Sequence, residues 1–266
     1  NWVAGEPIGE ITPGTHGGEL TLSNGNTFNL FENVLPEGAT EVFIIDSKGI
    51  NYQTPANKPK VKEIKNTLRT LHGMECHIVL SDGTKVHLNA ESQLTYPICF
   101  SDKERIVQVE GEAYFDVRKD EEHPFVVRTR FGEVTVLGTA FNINAYNDAD
   151  ACYTTLVYGK VNFSTPDQNT ITLAPGEQAV ASSRGIEKRV VDVNEYIGWA
   201  QGVYVFNNRR LGDIMKTFER WYDVHVYYEK ESLRDLTYSG DLQRYGTINT
   251  FLNALELTGD IYYRIN

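Results

Sequence analysis

Val107-Gln108-Val109-Glu110-Gly111-Glu112-Ala113-Tyr114-Phe115-Asp116-Val117 alternates without interruption between small or apolar residues and polar ones. Val107, Val109, Gly111, Ala113, Phe115 and Val117 fall on one side of an extended chain; Gln108, Glu110, Glu112, Tyr114 and Asp116 fall on the other. A period of two belongs to a strand with one buried face, so the stretch predicts a long half-buried strand. Three carboxylates share its polar side. They can divide general-acid and general-base work if burial or repulsion separates their pKa values, and Glu110 and Glu112 sit within reach of the carboxyl separation of retaining glycosidases. An exposed antiparallel sheet shows the same alternation, with the acids solvated or paired to basic neighbours, and that reading is preferred.

Outward from this strand the pattern repeats in short pieces. Strands are expected near Leu94–Tyr96, Phe125–Thr129, Val134–Leu137, Phe141–Tyr146, Thr154–Val157, Lys160–Phe163, Thr170–Leu173 and Gln178–Ala181, with Gly138, Gly159 and Gly176 at turns or bulges. Upstream, Glu19–Leu30 and His77–Leu88 form a weak internal repeat of two hairpins. Their Asn24-Gly25 and Asp82-Gly83 pairs supply the positive φ that tight primed turns need. Only Val61–Leu71 is ambiguous between strand and helix. Many short strands at even spacing predict a mainly β fold, a jelly-roll-like β-sandwich.

Beyond about Asp192 the pattern changes. Val203–Phe206 reads as a strand, with Asn207 or Asn208 as a helix cap, and Leu211, Ile214, Met215, Phe218 and Tyr222 line one face of a helix. Val224–Tyr228 and Leu236–Gly240 alternate as strands. Thr247 then caps a second helix with Ile248, Phe251, Leu252 and Leu255 inward; Gly259 ends it, and Ile261–Ile265 returns as a strand. The order is βαββαβ, a small α+β domain, so two domains are expected, 1–192 and 193–266. Trp199 and Trp221 are expected as core or interdomain anchors, and Glu195–Gly202 as a hinge.

The chain has 25 basic and 36 acidic residues, a formal net charge of -11, and no concentrated basic surface, so nucleic acid is not expected as a partner. It has no apolar run of transmembrane length and does not begin with Met, consistent with a soluble piece separated from a targeting or anchoring segment. The three cysteines, Cys76, Cys99 and Cys152, allow one bridge at most. His72, Cys76, His77 and His87 lie close in sequence, but Cys76 and His77 point to opposite faces of one strand. The spacing matches no repeated zinc pattern, so no metal site is expected; Cys76 is read as a buried hydrophobe and the histidines as exposed.

Several ordered motifs carry a family resemblance. Leu80-Ser81-Asp82-Gly83-Thr84, Val86-His87-Leu88-Asn89-Ala90, Glu110 to Val117, His123-Pro124-Phe125-Val126-Val127, Val136 to Asn142 and Leu173 to Ala179 resemble the FecR family of anti-sigma factors. Trp199, Leu211, Phe218-Glu219-Arg220-Trp221-Tyr222 and Tyr238-Ser239-Gly240 resemble the C-terminal domain attached to FecR regions in Bacteroidetes.

The resemblance implies the periplasmic sensing region of a protein anchored in the inner membrane by a single span, with no catalytic residues and no cofactor. Its implied partners are the N-terminal signalling domain of an outer-membrane TonB-dependent transporter and, through a cytoplasmic domain absent from this chain, an extracytoplasmic-function sigma factor. The family pattern usually continues for one more short strand after a segment like Ile261–Ile265, so one edge of the small sheet is expected to be open. The tail is also similar to the transporters' own signalling domains, which makes pairing of like domains a plausible mode. Partner contact is placed on Tyr227, Tyr228, Tyr262 and Tyr263, with Tyr227 and Tyr262 facing outward. A carbohydrate-binding sandwich is the alternative, since jelly rolls often bind sugars and the chain has 15 Tyr and 12 Phe residues.

Overall fold

The computed structural model of the protein describes residues 9–30, 43–45, 49–52 and 64–265. Through Val190 the described chain is a sandwich of two sheets that share one strand, Arg105–Asp116. The first sheet runs, in spatial order, through Thr27–Asn29, Glu19–Thr21, Lys65–Arg69, Gln93–Pro97, the first half of Arg105–Asp116, Phe125–Thr129, Gly132–Val136, Val161–Ser164 and Thr170–Leu173. The second runs through Phe43–Ile45, Gly49–Tyr52, Met74–Val79, Lys85–Leu88, the second half of Arg105–Asp116, Ala140–Ala145, Ala151–Tyr158, Glu177–Ser182 and Gly185–Val190. Apart from the edge hairpin Glu19–Thr21/Thr27–Asn29, strand order advances along both sheets as the chain alternates between them.

The shared strand is the alternating stretch with which the sequence was read. Val107, Val109, Ala113 and Phe115 are buried in the core between the sheets, as the period of two requires. Gly111 is where the strand leaves one sheet for the other. Its φ is +90°, and a Cβ there would lie 2.3 Å from Ser92 Oγ, so only glycine fits the corner. Both hairpin turns also hold glycine at positive φ, +87° at Gly25 and +88° at Gly83. The ambiguous stretch resolves as the strand Lys65–Arg69, while 61–63 lie outside the described residues. The edge strand Gly185–Val190 is mostly exposed and had no apolar alternation by which to be read.

A second core forms around Trp199, Tyr204, Leu211, Ile214, Phe218, Trp221 and Tyr222, joined by Ile248, Leu252, Leu255 and Ile261. It belongs to a tail in which Val203–Arg210 pairs antiparallel with Thr237–Gln243, and the helices Leu211–Tyr222 and Asn249–Leu257 follow them. Four local expectations need correction. Asn208 is not a helix cap: it sits at φ +49° in the bulge between Phe206 and Arg209, where its N–H bonds Ser239 Oγ. Thr247 does not cap the second helix, which starts after Ile248 with no side-chain cap bond. Val224–Tyr228 and Ile261–Ile265 form no strand ladder with any described residue, although both keep an alternating burial pattern. Glu195–Gly202 is not an open hinge but a helical turn that buries Ile197, Gly198 and Trp199.

Candidate functional site

The second sheet's outer face explains why so many polar side chains of the sandwich are buried. Cross-strand register places His77, His87, Tyr114, Asn142, Thr155, Gln178 and Arg189 in one row across that face. His87, Asn142, Thr155 and Gln178 are buried, and Trp199 of the tail lies against His87 and Asn142. Polar groups can be buried at modest cost only when they are bonded, and here they are. Gln178 donates to Thr155 and accepts from Arg189, while Asn142 accepts the indole N–H of Trp199 at 3.2 Å. Trp199, expected as an anchor for its size, packs in the tail core and touches the sandwich at Asn142 and His87.

The densest point of this contact is Arg244, which follows the tail strand Thr237–Gln243 and is fully buried. Its guanidinium donates to Glu75 Oε2 at 2.9 Å, to Asn89 Oδ1 at 2.8 Å and to the Tyr204 hydroxyl, and stacks 3.6 Å from the Trp221 ring centroid. Glu75 also accepts from Tyr245 at 2.7 Å and lies 3.2 Å from His87 Nε2. Burial alone would raise the Glu75 pKa, but His87, Arg244 and Tyr245 outweigh it and hold the carboxyl down at about 2. Burial lowers the pKa of His87 despite its bond to Glu75, so it is neutral at pH 7. His87 was expected to be exposed; the tail covers it. Asn89 passes the network on, donating to Glu112 Oε2, and Asn142 donates to Glu112 Oε1. One continuous chain of bonds therefore runs Glu75, Arg244, Asn89, Glu112, Asn142, Trp199.

This disposes of the acidic strand as an open surface at its centre. Glu112 is only 9% exposed and is bound by two amides rather than by a basic neighbour. Glu110 lies on the other side of the Gly111 corner and accepts from Asn147, and Asp116 accepts from the Tyr158 hydroxyl at 2.6 Å. No three His, Cys, Asp or Glu side chains among the described residues are placed to hold a metal. Cys76 points into the sandwich core, whereas His77 stacks on His87 at 3.8 Å on the opposite face.

At its periphery, the helix Leu211–Tyr222 is tied to the sandwich by Arg220, which bonds Glu91 and Asp148 at 2.9 and 2.7 Å and stacks on Tyr146. The tail's two extended segments lie elsewhere on it. Val224, Val226 and Tyr228 turn inward, as do Ile261, Tyr263 and Ile265. Tyr227 is 90% exposed and Tyr262 79%. Of the other two tyrosines, Tyr228 sits under Arg234 with its hydroxyl unbonded among the described residues, and Tyr263 donates to Asn253. Sequence reasoning found these tyrosines from local alternation. It missed Glu75 and Arg244, whose types were visible but whose meeting across the fold was not.

Comparison with known proteins agrees with this architecture. The FecR protein model matches residues 66–162 and the FecR C-terminal model residues 203–266. Two crystal structures from Parabacteroides distasonis, assigned as anti-sigma factors, match with a TM-score of 0.69 each, at 33% and 32% identity. The matches cover 75% and 76% of this chain and 94% and 95% of those chains. No curated protein matches. A β-sandwich with an α+β tail of this kind defines a regulatory class, the anti-sigma factors. Within it, the chain belongs to the FecR family. No helix among the described residues is long and apolar enough to cross a membrane.

Proposed function

We propose that this chain is the periplasmic sensing region of a transmembrane anti-sigma factor. It takes a signal from the N-terminal signalling domain of an outer-membrane TonB-dependent transporter and relays it to an extracytoplasmic-function sigma factor. Residues 1–192 and 193–266 act as its two domains, and the second receives the partner. The observation that carries this reading is the pair of extended segments Val224–Tyr228 and Ile261–Ile265. Both alternate in burial like strands, yet neither has a ladder partner among the described residues. The Val224 and Val226 N–H groups bond Glu219; a segment without a ladder accepts a strand from another domain through its other backbone groups, and an exposed tyrosine beside them supplies contact area at small entropic cost. Tyr227 and Tyr262 are the anchors, and Tyr228 and Tyr263 seat the segments on the tail core.

The test is a calorimetric titration of the chain with the signalling domain of a transporter encoded beside its gene, with a candidate glycan in parallel. Saturable binding to the domain and none to the glycan is expected. Tyr227→Ala and Tyr262→Ala should each weaken it by about tenfold or more, the scale of interface anchors. Unchanged affinity in both variants would move the interface elsewhere, and binding to the glycan alone would make the chain a carbohydrate-binding module.

A further inference from the structure

The N-terminal described segment, residues 9–16, is held from two sides at once. On the sandwich side, Thr15 and His16 run parallel to Met74 and Glu75, with the N–H groups of Thr15 and Gly17 bonded to the carbonyls of Gly73 and Glu75 at 2.8 Å. His16 Nδ1 lies 3.5 Å from Glu75 Oε1, the carboxylate that also holds Arg244. On the tail side, the Ile11 N–H donates to Asn249 Oδ1 at 3.0 Å, and the Ile11 carbonyl accepts from the Ile248 N–H at 3.3 Å. Ile11 itself packs on the tail core. Between these anchors Gly14 is squeezed: a Cβ there would lie 2.6 Å from the Gly73 carbonyl oxygen and 2.8 Å from the Trp221 ring.

We infer that this segment is a strap whose attachment reports the position of the tail. Two contacts from the tail hold residues 9–14 there: the Ile11 pair of bonds and the Trp221 wall beside Gly14. What remains without them is a two-residue ladder against Met74 and Glu75, with His16 beside Glu75 and His77, too short to hold the residues before it extended in water. Displacing the tail therefore frees the strap, and seating the tail closes it. On the reading proposed above, which the strap's geometry does not itself require, this converts partner engagement at the tail into a change at the opposite end of the chain.

Hydrogen exchange of the whole chain tests this without any partner, so failure here is separate from failure of the transporter titration. Arg244→Gln should unseat the tail. The amides of Ile11, Thr15 and Gly17 should then exchange about tenfold faster or more, while the sandwich strand Ala151–Tyr158 keeps its protection. Faster exchange in the helix Asn249–Leu257 with unchanged exchange at Ile11 and Thr15 would overturn the inference. Where Arg244→Gln leaves the tail seated or loosens the sandwich as well, Asn249→Ala decides, because it removes a side-chain bond between tail and strap. Acceleration at both Ile11 and Thr15 supports the strap, and wild-type rates at both refute it.

Discussion

Replacing Arg244 by methionine removes the one guanidinium that serves Glu75, Asn89 and Tyr204 together and leaves Glu75 ionised in a site with no access to solvent. Breaking a buried pair from one side typically costs about 3–5 kcal/mol, and the upper half is expected because the Tyr204 hydroxyl loses this donor too and Asn89 Oδ1 keeps only the Ala90 N–H. The dependence on pH follows from the sign of the shift. In the wild type the carboxyl is held at about 2, below its ordinary 4.5, by charges and bonds that include Arg244. Without the guanidinium one of the charges that hold the carboxyl down is gone. The stability that a depressed carboxyl pKa contributes, present above pH 4.5 and lost as pH falls toward about 2, therefore shrinks, so the penalty of Arg244→Met should grow as pH rises from about 2 to about 4.5. The assay is denaturant unfolding at several pH values, with Glu75→Met and the double variant completing a cycle. The double variant should recover most of the loss, because an apolar pair can fill the site without stranding a charge. A cost for Arg244→Met below about 1 kcal/mol, or strictly additive single variants, would refute the buried node as drawn.

Two further outcomes are expected. Acid should unfold the wild type in two stages: stability falls below pH 6.5 as the unfolded chain protonates the position that His87 keeps neutral, then again from pH 4.5 toward about 2 as Glu75 follows. Glu75 contributes on the order of 3 kcal/mol to the second stage at 1.36 kcal/mol per unit, so that stage should be clearly smaller in Glu75→Gln; an identical acid limb in that variant would contradict it. Gly111→Ala forces a Cβ to within 2.3 Å of Ser92 Oγ, which receives the Glu112 N–H and donates to the Ala90 carbonyl. With the positive φ added, a loss of about 3 kcal/mol or more is expected by thermal or chemical unfolding, and a near-neutral variant would show that the corner is not strained.

What could be read from residues alone was local in origin. The Val107–Val117 alternation and the two glycine turns are written within a few residues of where they act, so the strand and hairpins were legible. Glu112 obeys the same alternation and reads as a residue of a solvated face, because nothing nearby in sequence announces that Asn89 and Asn142 bind it. Glu75 and Arg244 lie 169 positions apart, and no period or spacing connects them. For Val224–Tyr228 and Ile261–Ile265, alternation was read as proof of a strand. It reports only that one side is buried; a ladder also needs a neighbour, which is not encoded in the segment itself.

The row of polar side chains under the tail has a bearing on solubility. A sheet face that exists to be covered is usually apolar, and uncovering one exposes a sticky surface that draws chains into aggregates. Here, His77, His87, Tyr114, Asn142, Thr155 and Gln178 would meet water as hydrophilic groups able to exchange each lost bond for one to solvent. The sandwich side of the joint can therefore be bared and re-covered repeatedly without inviting aggregation through that face.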